Sequence, residues 1–221
     1  IFDIEFFHVN HNIFDTVGVA IHTPVGTICH TADFKFDNNP VGDKPADYAK
    51  MAKLSQEGVL LLLSDSTGAE RPGHSISEKT IEENLHDIVE HAQGRIIVAT
   101  FSSLISRLQQ LIKLAEKFGR KVAIDGYSMK SNVALAQELG YLKIPKGLLI
   151  DIKNVDDYPP EKIMVLCTGA QGEGSAVLMR IATREHRYVR LKEGDTVVFS
   201  SSVIAGNERT VQRLKDVLYK K

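Results

Sequence analysis

The chain lacks a charge imbalance: Lys and Arg total 27 against 28 Asp and Glu over 221 residues, a net charge of -1. A molecule-wide field that would hold nucleic acid is therefore excluded, and any such affinity must be local. No apolar run approaches the roughly 18 residues that span a bilayer, and no signal peptide opens the sequence. Cysteine is scarce. Cys29 and Cys167 lie far apart in apparent strands, which fits buried thiols in a reducing cytoplasm and not a disulfide framework. Repeats and low-complexity tracts are also missing, while 43% hydrophobic and 25% charged residues suffice for one or two cores.

What is present begins with chemistry at strand ends. The run IFDIEFF alternates roughly as a strand does, and the polar break Asn10 to Thr16 lets His11 leave its end. Val17 to Ile21 and Gly26 to Cys29, separated by Thr23-Pro24-Val25-Gly26, predict a hairpin turning at Pro24. Its second strand delivers His30-Thr31-Ala32-Asp33, so His11 and Asp33 are expected on one sheet edge. Imidazole and carboxylate are ligands that zinc or manganese accepts, and a carboxylate bridges two ions. Taken singly, each residue is as compatible with an ordinary hydrogen-bonded loop.

Further along, strands alternate with helices. A capping box, Ser75 to Glu78, predicts an amphipathic helix to about Ala92 with Ile81, Leu85, Ile88 and Val89 on one face. Strand patterns at 95–100, 121–124, 162–167 and 196–199 alternate with helices ended by Gly119 and Gly140, an acidic proline-marked loop at 151–160, and a helix at 176–184. Such alternation predicts an α/β fold with a mostly parallel sheet and right-handed crossovers. Ligands then gather beyond the carboxyl ends of the strands.

Four loops expected there are rich in Ser, Thr and Gly: 100–103 with Ser102 and Ser103, 126–128 with Ser128, 168–175 with Thr168, Gly169, Gln171, Gly172 and Glu173, and 200–207 with Ser200, Ser201, Ser202 and Asn207. Amide donors and hydroxyls at helix starts favour phosphate. The plain alternative is that these residues only cap helices. Two basic clusters, Arg180 to Lys192 and Arg209 to Lys221, supply local positive charge or a solvated face.

The strings VNHNIFDTVGVAI, HTADFKFD, LLLSDSTGAERPG, GRIIVATFSS, TGAQGEGSAVLMRIA and GDTVVFSSSVIAGNE, spread over nearly the whole chain, resemble the ribonuclease J family. That family is the bacterial RNA branch of the β-CASP nucleases in the metallo-β-lactamase superfamily. The resemblance implies the end of a metallo-β-lactamase domain at 1–74 and a β-CASP domain at 75–221. It implies that His11 binds one zinc ion and that Asp33 bridges two, with manganese or magnesium as the other metals. Asp65 becomes a catalytic carboxylate near the centre, while His30, next to the pair in sequence, is expected from its position to orient a ligand.

The family's His-x-His-x-Asp-His, His-Val-Ser-Gly-His and Pro-Val-His-Gly-Glu strings do not occur here, so the resemblance also implies a fragment. The implied parent is a cytoplasmic, zinc-dependent 5′-exonuclease or endonuclease, homo-oligomeric and unattached to membrane, acting on RNA. Counting ligands, these residues on their own read rather as a module that binds RNA or nucleotide phosphates without cleaving; a DNA-repair nuclease of the same superfamily is a weaker rival.

Departures bear on the RNA contacts. Ser106 stands where the family usually has His, Tyr127 where it has Arg, and Ala170 where it has Ser, while Phe14 and Ala205 replace prolines. Arg107 matches, and is expected to be the chief remaining basic contact. His8 and His22 are expected as ordinary strand positions, and His74, His86, His91 and His186 as surface residues.

Overall fold

The computed structural model describes residues 2–220. Two compact units divide at Glu83 and Asn84. The first holds β1 (Asp3–His8), β2 (Val17–Thr23), β3 (Gly26–His30), α1 (Tyr48–Glu57) and β4 (Val59–Leu63), in the sheet order β1-β2-β3-β4.

The expected hairpin forms, with Thr23 paired to Gly26 around Pro24 and Val25. Both β1 and β3 run antiparallel to β2, and β4 runs parallel to β3. Hence β1, β3 and β4 share a direction, and the loops after them open at one edge. Alternation sends Phe7, Ala20 and Cys29 to a single face, where they bury against Leu54 of α1. Burying a leucine side chain contributes about 1.5 to 3 kcal/mol.

The pattern of the sequence does not indicate α1. Only Met51 and Leu54 anchor it to the core, and its start is fixed by Asp47, whose carboxylate accepts the Lys50 N–H at 3.0 Å. The edge strand β4, VLLLL, is exposed along its length.

The helix α2 (Glu78–His91) begins two residues later than a Ser75 cap would place it. Ser77 is the capping hydroxyl, accepting the Thr80 N–H at 3.2 Å, and the buried Asp37 carboxylate accepts the Glu78 N–H at 2.8 Å. A tertiary carboxylate thus satisfies an orphan helix donor and decides the register over the local capping box.

The second unit carries a five-stranded sheet, β5 (Ile96–Ala99), β6 (Lys121–Asp125), β7 (Leu149–Ile150), β8 (Ile163–Cys167) and β9 (Thr196–Phe199), in the order β7-β6-β8-β5-β9. Every pairing is parallel, as alternation requires. The helices α3 (Ile105–Lys117), α4 (Tyr127–Glu138), α5 (Val177–Ala182) and α6 (Glu208–Tyr219) follow β5, β6, β8 and β9.

From β5 the chain passes the position of β8 to reach β6, and from β8 it passes β5 to reach β9. Right-handed crossovers in opposite directions put α3 and α5 on opposite faces, so the carboxyl ends of β5 and β8 form a topological switch point. Both strands are buried throughout. Ile97, Ala99, Val165 and Cys167 pack with Val177, Leu178, Ile181 and Leu214 on one face.

The stretch expected as an acidic loop at 151–160 instead winds into 3-10 turns at Ile152–Asp157 and Pro160–Lys162, held by the buried Ile152 and Val155. Both cysteines are free and buried, and burial pushes both thiols up, Cys167 furthest.

Candidate functional site

In the first unit the shared edge carries the four candidate residues His11, His30, Asp33 and Asp65, and brings His11 and Asp33 into contact. Asn10 and Lys35 form an antiparallel bridge, with the Lys35 N–H donating to the Asn10 carbonyl at 2.9 Å. That ties the loop after β1 to the segment after β3. His11 Nε2 consequently lies 3.6 Å from Asp33 Oδ2.

Between His30 and Asp33, Ala32 takes a left-handed φ of 56° and donates its N–H to His30 Nδ1 at 2.9 Å. His30 therefore holds the turn that carries Asp33, and is itself exposed. Asp65, after β4, donates its N–H to Thr31 Oγ1 at 3.0 Å and accepts from Thr67 through N–H at 2.9 Å and hydroxyl at 2.7 Å. The Thr67 hydrogen bonds hold its carboxyl below the usual range; the Phe34 N–H and His11 help, and partial desolvation opposes them.

The donor set suits a metal. Two ligands of a tetrahedral zinc at ~2.1 Å stand about 3.4 Å apart, close to the His11 and Asp33 separation. Both groups are accessible, with side-chain exposures of 31% and 75%. Among the described residues no third His, Cys, Asp or Glu ligand atom joins them at single-ion distance.

In the second unit the predicted phosphate loops do meet at the switch point, but most of their polar groups are engaged with one another. Thr100 Oγ1 donates to the Ser200 carbonyl at 2.9 Å, joining the loop after β5 to the loop after β9. Arg107, expected as the chief remaining basic contact, is 3% exposed; its Nη1 donates to Ser200 Oγ at 2.7 Å and its Nε to Gln110 Oε1 at 2.9 Å.

Gln171 works the same way from the loop after β8. Its Nε2 donates to the Ser202 carbonyl at 2.8 Å, and its Oε1 accepts from Ile204 N–H at 2.9 Å and Asn207 Nδ2 at 3.3 Å. Gly172 follows at φ 75°, where a Cβ would stand 2.3 Å from the Thr210 carbonyl, so only glycine admits this approach of loop to α6. Thr168 accepts the Leu178 N–H through its carbonyl, and Ser102 accepts Asn132 Nδ2 at 3.2 Å. Ser128, Glu173 and Ser202 remain exposed, Ser103, Ser201 and Asn207 are half-buried, and Gly169 is buried.

His186 corrects an expectation of surface placement: it is 3% exposed, and its Nε2 meets Asp125 Oδ2 at 2.8 Å. Nδ1 accepts the N–H groups of Tyr188 and Val189, which leaves Nε2 to donate. The His186 hydrogen bond, with the Lys130 ammonium at 2.6 Å from Oδ1, holds the Asp125 carboxyl well below the carboxylate range despite burial. Nothing local marks this pair, because its members are 61 residues apart.

With this geometry established, comparison with known proteins assigns the chain. It is 49% identical over 211 residues to ribonuclease J 1 of Streptococcus pyogenes, which covers 96% of this chain and 38% of that protein. Ribonuclease J of Thermus thermophilus is 46% identical over 218 residues, covering 99% and 38%, and that of Helicobacter pylori 43% identical over 220 residues, covering 100% and 32%. The chain thus spans about a third of the length of these relatives. A solved Enterococcus faecalis protein of unknown function shares the fold, with a TM-score of 0.52 at 14% identity, over 97% of this chain and 56% of that one. The profile described as "Ribonuclease J, beta-CASP domain" matches residues 93–218, and the chain belongs to that family.

Proposed function

We propose that this chain is part of a metal-dependent ribonuclease, and that His11 and Asp33 supply two ligands of its metal centre. The observation that carries the reading is the 3.6 Å approach of an accessible imidazole and an accessible carboxylate at the edge where β1, β3 and β4 end. Zinc is the first choice for such a mixed nitrogen and oxygen set, with manganese next. A bound ion supplies an activated water and stabilises charge developing on a phosphodiester.

The chain's own residues orient that chemistry. The Asn10 to Lys35 bridge fixes the spacing of the two ligands, His30 holds the Ala32 turn, and Thr67 keeps Asp65 ionised beside His11. RNA is the proposed substrate, through the ribonuclease names of the relatives; 5′-end and internal cleavage are both compatible with the site. A four-coordinate centre needs more donors than these two, which favours, for these residues alone, binding of RNA without turnover.

Equilibrium dialysis against zinc, with RNA cleavage measured in parallel, tests the proposal. His11→Ala and Asp33→Asn should each lower zinc affinity by at least the roughly tenfold that loss of an outer partner costs. Unchanged zinc binding in both variants would refute the assignment of ligands.

A further inference from the structure

At the carboxyl end of β6 the chain turns at Gly126, whose φ is 108° and where a Cβ would stand 2.8 Å from Thr168 Oγ1. This tight turn starts α4 with Tyr127, which is 90% exposed. A lone exposed aromatic is unremarkable, as Tyr219 near the end of the chain shows at 89%. The surroundings of Tyr127 differ.

Two residues before it, Asp125 accepts from His186, and the other nitrogen of that imidazole accepts the N–H groups of Tyr188 and Val189. One buried pair therefore anchors both the start of α4 and the turn at 184–190. With His186 and Val189 buried, Arg184, Arg187, Tyr188 and Arg190 face outward from that turn. The Arg187 guanidinium lies 5.1 Å from the centroid of the Tyr188 ring, and Arg190 donates to the Arg184 carbonyl. Glu185 is the one acid among these residues.

We propose that Tyr127, together with the Arg187 and Tyr188 pair, is a stacking surface for the bases of single-stranded RNA. The proposal rests on the ribonuclease reading and adds a recognition surface to it. Exposed rings beside guanidinium groups take bases on their faces and phosphates at their rims, a contact tolerant of base identity. Arginine outnumbers acid on the turn, which selects a polyanion over an acidic-poor or basic partner.

Binding of the full chain to fluorescein-labelled oligouridylate, by anisotropy across a salt series, tests this. Tyr127→Ala should weaken binding about tenfold with an unchanged salt slope, whereas Tyr127→Phe should stay close to wild type. Arg187→Ala should weaken binding and reduce the slope of log affinity against log salt by about 1. An oligonucleotide with abasic sites should bind wild type more weakly than the intact one, and Tyr127→Ala should show a smaller difference between the two. If wild type binds and Tyr127→Ala binds equally well, the stacking surface is wrong and the ribonuclease reading stands. If wild type binds no RNA at any salt, the surface is refuted, while zinc binding by His11 and Asp33 is decided separately by dialysis.

Discussion

The candidate residues of the two units use their polar groups in opposite ways, although the first unit also buries a structural carboxylate, Asp37. In the second, charged and hydrogen-bonding groups are buried as struts: Arg95 and Asp195 pair at 2.6 Å with side-chain exposures of 3% and 4%, and Arg107, Gln171 and Ser200 bind loop to loop. In the first, His11 and Asp33 reach solvent at the end of a small sheet and hold little structure together. A buried polar group is costly unless its partners stay in place, whereas an exposed pair contributes little to stability and stays available to a ligand. Stability and chemistry are thus carried by different residues, and substitutions can separate them.

The largest effect belongs to the buried pair. Asp195→Ala leaves the buried Arg95 guanidinium only the Arg190 carbonyl and a longer contact with Asp156, and should cost about 3 kcal/mol in denaturant unfolding. Arg107→Ala should cost about 2 to 3 kcal/mol, by leaving Ser200 and Gln110 without their donor. By contrast, Asp33→Ala should change stability by less than about 1 kcal/mol. A melt in which Asp33→Ala is as damaging as Arg107→Ala would erase the contrast between the units.

Acid should sharpen it. The Asp125 carboxyl is held low by His186 and Lys130, so its contribution is complete above the ordinary carboxylate value of about 4 and fades as pH falls below it toward the folded-state value. Asp125→Asn should therefore be less stable than wild type at neutral pH, and the gap should narrow steadily on acidification below about pH 4. Chemical unfolding at a series of pH values reads this directly. A gap independent of pH would mean that the Asp125 carboxylate is not stabilised by its partners.

Much of this was visible in the residues, for reasons that are local. Pro24 and Val25 between two apolar runs define the hairpin, and Gly119 and Gly140, at φ 64° and 80°, end α3 and α4 where the periodic patterns stop. Strand direction put His11 and Asp33 on one edge, while their role as metal ligands came from the family resemblance. What stayed hidden depends on distant partners. Ser200 lies 93 residues from Arg107, so nothing near that arginine showed that it is buried as a strut. His186 looked like one more polar residue in a basic turn until Asp125 was placed beside it. For α1 the reason is weak patterning, since two core anchors in ten residues barely distinguish a helix from a loop.

The smallest expected change in stability falls at Ala32, and it links the two behaviours within one turn. A left-handed alanine costs roughly 1 to 2 kcal/mol, and glycine adopts the same φ without that strain but loses about 0.5 to 1 kcal/mol more chain entropy on folding. Ala32→Gly should therefore move the unfolding midpoint slightly upward or not at all. The strained turn also aims Asp33, and a glycine there admits other directions for the carboxylate. Zinc affinity should consequently fall while stability holds, with calorimetric titration reading the first and urea unfolding the second. Unchanged zinc affinity would show that the bridge from Asn10 to Lys35 positions Asp33 without help from the turn.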